Sequence, residues 1–293
     1  MSAFGLAKGA LRAVGLEPRA AYQRLSAASI RAALAEQGLD ALAGRLREAV
    51  PDIADQYTGT FDTREFQAFW DLKMRGQHAF QVQATLDMLD LMGPGGLTVV
   101  DIGDSSGTHA RYLRAVTPPG RLERIVGVNL DPEAVERIRA KGGEAVLSRA
   151  EELDPATLKA DLFLSFETLE HLTDPLRFLH GLAAKGSADW LLATVPYRRR
   201  SRFGGAQLRW PDHRMPAKMT PEQVHIYEFS PADWSLAARL AGWRPVMTRI
   251  YRQYPLRSPL AATMPLWQRL DFEGFVALGL RRDLTLADRY SGW

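Results

Sequence analysis

Four side chains suited to acid–base or metal chemistry occur as Glu167, Glu170, His171 and, further along, His225. In Phe166-Glu167-Thr168-Leu169-Glu170-His171, two carboxylates three residues apart are followed directly by an imidazole. Residues three and four apart share one face of a helical turn, so this set is a candidate for holding a divalent metal ion through mixed oxygen and nitrogen donors. Without a metal, His171 is the candidate general base, because histidine ordinarily titrates near neutrality, and Glu170 is its catalytic neighbour. The bland alternative has Glu170 and His171 hydrogen-bonding within their own loop to hold it.

A second group lies upstream in VVDIGDSSGTHARYL. An apolar run ends in Asp101, and Gly103 and Gly107 then bracket a turn before a helix begins near Thr108. Glycine is needed where a side chain would collide with a ligand or where φ is positive, which makes Asp101, Gly103, Asp104, Ser105 and Gly107 candidate cofactor-binding residues. The dinucleotide fingerprint would require glycine at 103, 105 and 108. Ser105 and Thr108 stand at the latter two, so a nicotinamide cofactor is the weaker reading, and plain turn glycines of an unrelated α/β protein stay open.

A third group is the segment 197–218, with seven Lys or Arg against one acid, Asp212, and with Phe203 and Trp210 interleaved. Arginine suits carboxylates and phosphates. Arg198, Arg199 and Arg200, with His225, are therefore candidate binders of an anionic substrate, against the alternative that the run is solvated surface.

These groups must be positioned by secondary elements. Residues 20–50 and 63–92 carry apolar residues at helical spacing, for example Leu34, Leu39, Leu42 and Leu46, then Phe66, Trp70, Met74 and Leu89. From residue 97 the rhythm changes to short apolar runs separated by helical patterns, which predicts parallel strands in βαβ units over 97–102, 124–129, 144–147, 161–166 and 190–195. Ser230-Pro231-Ala232-Asp233 has the form of a helix start. Two last strands, 245–251 and 274–280, are expected as an antiparallel pair around an excursion that contains a helix. The organisation expected is a helical extension over 1–92 and an α/β domain over 93–293 with a basic insertion at 197–225.

The chain has 293 residues, 46% of them hydrophobic, and a formal charge of +3, too small an excess to argue for nucleic acid by itself. It has no cysteine, which excludes disulfides, thiolate zinc sites and cysteine nucleophiles and fits a reducing, cytoplasmic setting. Lys8 and Arg12 interrupt the apolar residues at the start, so residues 1–19 do not read as a signal peptide. Phe4, Leu11 and Val14 with Lys8, Arg12 and Arg19 give one reading as a peripheral anchor on the inner face of a membrane. The other reading has the amino-terminal helices capping the pocket, with Trp70, Lys73, Arg75 and Gln77 near the acceptor.

The loop at 101–107 resembles motif I of class I S-adenosylmethionine-dependent methyltransferases, whose Gly-x-Gly-x-Gly here has Ser105 at the centre. In IVGVNLDPEAVERIRAKG, Asn129, followed by Leu130, occupies the place of the family's ribose-binding acid, and Asp131 reads as a helix N-cap. In AVLSRAEELD, Arg149-Ala150 stand where the family flanks adenine. DLFLSFETLEHLTDP, which contains Phe166, and VHIYEFSPADW are similar to stretches of type 11 and quinone-biosynthesis methyltransferases. The resemblance covers roughly residues 97–251. It implies a Rossmann-like α/β fold with a mostly parallel seven-stranded sheet, S-adenosylmethionine as cofactor, and methyl transfer; with the arginine-rich segment 197–218 beside it, the expected reaction is O-methylation of an anionic small molecule, sugar or glycan.

Two other readings accompany it. Glu-x-x-Glu-His also occurs in small-RNA 2′-O-methyltransferases, where a divalent ion positions the ribose; nucleic acid is nevertheless not the expected partner here, because basic and aromatic residues are concentrated in one loop. Ser105, Asn129 and Arg149 depart from the family pattern together, which suggests a catalytically silent relative that serves as a binding or scaffold module.

Overall fold

The structure, a computed structural model, describes residues 17–58 and 67–293. The membrane-anchor reading of residues 1–16 and the start of the second helical run lie outside them. No helix among the described residues is long and apolar enough to cross a membrane.

Among the described residues, three α-helices come first, α1 (Pro18–Glu36), α2 (Asp40–Ala49) and α3 (Gln67–Met92). The alternating part follows as β1 (Leu97–Ile102), α4 (Thr108–Val116), β2 (Leu122–Asn129), α5 (Pro132–Ala140), β3 (Glu144–Leu147), β4 (Leu162–Phe166), α6 (Pro175–Lys185) and β5 (Trp190–Pro196). After the insertion, which holds the two-residue strands β6 (Arg202–Phe203) and β7 (Tyr227–Glu228), come α7 (Pro231–Leu240), β8 (Trp243–Arg252), α8 (Met264–Arg269) and β9 (Gly274–Arg282). The seven-stranded sheet has the order β3-β2-β1-β4-β5-β9-β8. Its first five strands are parallel, and β9 runs antiparallel to both β5 and β8.

The expected fold class is therefore the observed one. Strand ends differ slightly: β2 begins at Leu122, which is buried and pairs with Leu97. β8 extends past both expected ends, with a register irregularity between Pro245 and Met247, where proline has no N–H to give the ladder. Ser230 caps α7 by accepting from the Asp233 amide. The β6–β7 pairing was not foreseen, since two-residue strands carry no periodicity.

The amino-terminal helices share a core with the sheet. Ile30, Leu46, Phe80 and Met88 pack with Tyr112 and Leu113 of α4 and with Leu162, Leu164 and Ala277 of the strands. On the opposite face, Leu179 of α6 and Trp234 of α7 cover Val100, Phe163 and Val276. The α3 helix is buried on most of its surface, including polar Arg75, Gln77, His78, Gln81 and Thr85. Arg75, expected near the acceptor, instead braces the helices: it pairs with Asp71 at 2.6 Å and donates to the carbonyls of Val50 and Pro51 at 2.9 and 2.7 Å. A buried guanidinium needs all its donors occupied, and the carbonyls left over at the end of α2 supply acceptors.

Candidate active site

At the carboxyl ends of β1, β2, β4 and β5, where open α/β sheets place their ligands, lies a cavity of about 580 Å³. One face of α3 roofs it, with Trp70, Lys73, Met74, Gln77 and Gln81 recurring at three- and four-residue intervals. Volumes of this size hold ligands of metabolite size.

On the β1–β2 side the lining includes the anticipated Gly103, Ser105, Asn129, Leu130, Arg149 and Ala150, with the anticipated Phe166 at the end of β4, and also Ile102, Val128, Ser148 and Glu151, which were not anticipated. Gly103 has φ of 94°, and a Cβ there would stand 2.3 Å from Thr168 Oγ1, so only glycine fits. Ser106 adopts φ of 56°, and Gly107, at φ of 80°, caps α4. The Asn129 amide group is engaged internally: Nδ2 donates to the Asp104 carbonyl at 2.5 Å, and Oδ1 accepts from the Asp131 amide at 2.7 Å. Asp131 caps α5 by accepting from the Glu133 amide at 2.9 Å and also accepts from the Thr58 hydroxyl. The Arg149 guanidinium lies 3.6 and 3.7 Å from Glu151 and Glu152.

Three expected cofactor residues, Asp101, Asp104 and Gly107, lie beneath this lining rather than in it. Their work is to build the loop. Asp104 accepts from the Gly107 amide at 3.2 Å, and Asp101 lies 3.5 Å from His109 Nδ1. Burial, together with the charge of Asp101, pushes the Asp104 carboxyl up to about 7. Burial disfavours a charged His109, but the carboxylates of Asp101 and Asp104 outweigh it and raise its pKa.

On the β4–β5 side, Glu170, His171 and His225 converge so that one ligand atom from each lies within 4.8 Å of the others. Two of them are held through Nδ1: His171 donates to the Val224 carbonyl at 2.9 Å, and His225 to Glu228 Oε1 at 2.9 Å. His171 Nε2 is 3.8 Å from Glu170 Oε1. Glu167 lines the cavity but stands outside that tight group, a correction to the four-residue set. Its φ of 50°, strained for a side-chain-bearing residue, is what turns the chain at the end of β4. Burial raises the Glu170 carboxyl to about 8, and burial plus the charge of Glu170 raises Glu167 well above the usual carboxylate range.

Three of the seven basic residues of the insertion are paired with carboxylates. Arg198 bonds Glu228 at 2.8 Å and Asp271 at 2.9 Å, Arg202 bonds the same two at 2.5 and 2.8 Å, and Arg199 bonds Glu273 at 3.0 Å. Burial would raise the Glu228 carboxyl, but hydrogen bonds from His225, Arg198 and Arg202 hold it down to about 2. Arg198 lines the cavity, whereas Arg199 and Arg200, expected to bind substrate, do not: both point to the exterior.

Sequence reasoning missed a polar chain that starts from His109 and Gln81 in the lining. His109 Nε2 lies 3.0 Å from Gln81 Oε1, and Gln81 Nε2 donates to Thr194 Oγ1 at 3.1 Å. His109 also packs edge-on against Phe166, with ring centroids 4.8 Å apart. Tyr57, Tyr197, Phe272 and Phe275 likewise line the cavity. They come from loops and strand ends far apart in the sequence, with no spacing to join them.

The family described as "Methyltransferase domain" matches residues 100–184. Among solved structures, the chain is similar to 1,6-didemethyltoxoflavin-N1-methyltransferase of Burkholderia thailandensis, at 17% identity and a TM-score of 0.50, over 78% of this chain and 93% of that one. It is also similar to an S-adenosylmethionine-dependent methyltransferase of Clostridium acetobutylicum, at 8% identity and a TM-score of 0.50, over 75% of this chain and 98% of that one. No curated protein matches the chain. The likenesses concern the fold, and the family match covers the loop at 101–107, the β2 tip and the Glu167–His171 turn: residues 100–184 match a methyltransferase domain, set in a fold that the chain shares with S-adenosylmethionine-dependent methyltransferases.

Proposed function

We propose that the protein methylates a hydroxyl oxygen of an anionic small molecule, sugar or glycan, and that Glu170, His171 and His225 surround the reacting hydroxyl. The observation that carries this reading is the convergence of a buried carboxylate and two imidazoles in the cavity that the cofactor loop borders. The cavity suits the cofactor: Gly103, Ser105, Asn129, Leu130 and Ala150 line one side of it. Bound there, S-adenosylmethionine would supply a sulfonium methyl whose carbon takes a new bond from the acceptor oxygen as its bond to sulfur breaks, with S-adenosylhomocysteine as the leaving group.

The chain's residues orient that oxygen and handle its proton. With its own proton kept at Nδ1 on Val224, His171 presents the Nε2 lone pair toward Glu170 and accepts the hydroxyl proton there. Thr168 donates to the Ile102 carbonyl at 3.2 Å and ties the turn bearing Glu170 and His171 to the cofactor loop.

The same donors fit a divalent cation. Both oxygens of Glu170 and Oε1 of Glu167 are buried without a hydrogen-bond partner among the described residues, a costly state that a cation relieves. Glu170, His171 and His225 would hold it, with Glu167 adjacent, and it would supply Lewis-acid stabilisation of the developing alkoxide. Labelled methyl transfer to fractionated acidic metabolites and envelope glycans tests the reading, run with and without a chelator. Label in an ether-linked methyl group supports it; methylation confined to nitrogen or carbon overturns it. Activity undiminished by chelator assigns the proton transfer to His171 alone.

A further inference from the structure

We infer that Lys73, set on the ring of Trp70, is the subsite for the acceptor's anionic group, and that the acceptor is an acidic sugar-sized molecule bearing a carboxylate or a phosphate. This rests on the proposed hydroxyl methylation. Three cationic side chains, Lys73, Arg149 and Arg198, are among the described residues that line the cavity. Arg198 is bound by Glu228 and Asp271, and Arg149 faces Glu151 and Glu152 beside the cofactor loop. Lys73 has no carboxylate oxygen within 4.0 Å among the described residues. A cation facing a cavity in that state is available to an anion that enters.

Its surroundings fit the rest of such an acceptor. Lys73 Nζ lies 5.3 Å from the Trp70 ring centre, and the Tyr57 ring is 6.3 Å from Trp70, with all three residues lining the cavity. Flat aromatic surfaces take the apolar C–H face of a sugar ring, and the indole face also supports the ammonium. Gln77, one turn beyond Lys73 on the same face of α3, adds an amide able to donate to or accept from hydroxyls. The anion subsite thus stands on the roof helix, opposite the β4 turn that bears Glu170 and His171. Burial lowers the Lys73 ammonium from its ordinary value, and the charge of Glu167 works against that shift; were pairing with Glu167 its sole role, removing it would disturb the carboxylates and leave anion binding unchanged.

Calorimetry on the full chain saturated with S-adenosylhomocysteine, with EDTA present throughout, tests this using inorganic phosphate, D-glucuronate, D-glucose 6-phosphate and D-glucose as probes. The expected result is that phosphate and at least one acidic sugar bind the wild type, that glucose binds at least tenfold more weakly, that Lys73→Met loses at least tenfold of the anion affinity, and that Lys73→Arg retains most of it. The preference between glucuronate and glucose 6-phosphate identifies the anion. Equal binding of anions to wild type and Lys73→Met, or no binding of any anion, overturns the proposal. Affinity for S-adenosylhomocysteine is expected to be the same in all three proteins. Loss of that affinity in the wild type would count against the proposed activity, whereas anion indifference with cofactor binding intact counts against Lys73 alone.

Discussion

His171 and His225 meet edge to face, with ring centroids 4.9 Å apart and planes at 79°, and each ring is fixed by a hydrogen bond from its Nδ1. Two imidazoles so oriented beside a buried carboxylate are a reacting centre that should fail when either ring is removed. His171→Ala and His225→Ala are each expected to lower turnover by about 100-fold or more, within the range for loss of a positioned proton-transfer or metal-ligand group. Affinity for S-adenosylmethionine should stay within about threefold, since neither ring is on the cofactor-loop side. Equilibrium binding measured beside single-turnover rates checks both halves. A variant with unimpaired single-turnover rates would remove its histidine from the chemistry.

The raised Glu170 carboxyl has a consequence for stability. Its ordinary value is 4.5 and its folded value about 8, so the folded chain holds this proton more tightly than the unfolded chain does. Between those limits the unfolded state ionises first, and the metal-free protein loses stability as pH rises from about 4.5 to 8. Asp104, raised to about 7, adds to the same slope. Urea titrations in EDTA should therefore give a higher midpoint at pH 5 than at pH 8, and Glu170→Gln should flatten part of that difference while raising the midpoint at pH 8. A divalent cation should do likewise at pH 8 in the wild type but not in Glu170→Gln. Parallel pH profiles for the two proteins would contradict the assignment.

Glu228 runs the opposite way. It is buried at 2% exposure and accepts from His225, Arg198 and Arg202, which hold its carboxyl at about 2 against an ordinary 4.5. The stability it supplies is complete above pH 4.5 and is lost as pH falls through about 2. Removing one partner of a buried pair leaves the others uncompensated, so Glu228→Gln is expected to cost about 3 kcal/mol at pH 7. It should also loosen His225, so the loss of turnover should exceed the loss of cofactor affinity. Chemical denaturation at pH 7 and pH 3 separates the variant from wild type: the gap should shrink at the lower pH.

Much of this was legible in the sequence, because the governing signals are local. The β-branched run ending in Asp101, the glycines at 103 and 107, and the cap at Ser230 each depend on a few neighbouring residues, and the parallel pairing of the first strands followed from the alternation of strands and helices. Asp101 and Asp104 were placed in the cofactor contact because they flank the glycines. Whether a loop carboxylate points out or under is decided by φ at the next residues, here the left-handed Ser106 and Gly107, and no spacing reports it. The arginine run misled for a related reason. Charge is visible along the chain, but its partners Glu228, Asp271 and Glu273 arrive from β7 and from the segment before β9. Trp70, Lys73 and Gln77 line the cavity as expected, but their helix gave no signal to set Arg75 apart from them, since apolar and polar residues alike are covered there.

Asn129 shows how a departure from the family pattern can be built into the local structure. An acid at this position would be expected to strengthen the grip on ribose hydroxyls, yet the Nδ2 of Asn129 donates to the Asp104 carbonyl at 2.5 Å while its Oδ1 accepts from the Asp131 amide at 2.7 Å. Aspartate can keep the second bond but not the first, and it would face a carbonyl oxygen with a negative charge, close to Asp131. Asn129→Asp is therefore expected to destabilise the fold by about 1–3 kcal/mol, the usual cost of leaving a partly buried acceptor unpaired, without tightening the cofactor. Ser105→Gly, which restores the central glycine of the loop, breaks no hydrogen bond that its side chain makes among the described residues and should leave cofactor affinity within about twofold. Calorimetry with S-adenosylmethionine and denaturant midpoints for the two variants decide the point. Tighter binding by Asn129→Asp at unchanged stability would mean that the amide's donation to Asp104 contributes nothing to holding the loop.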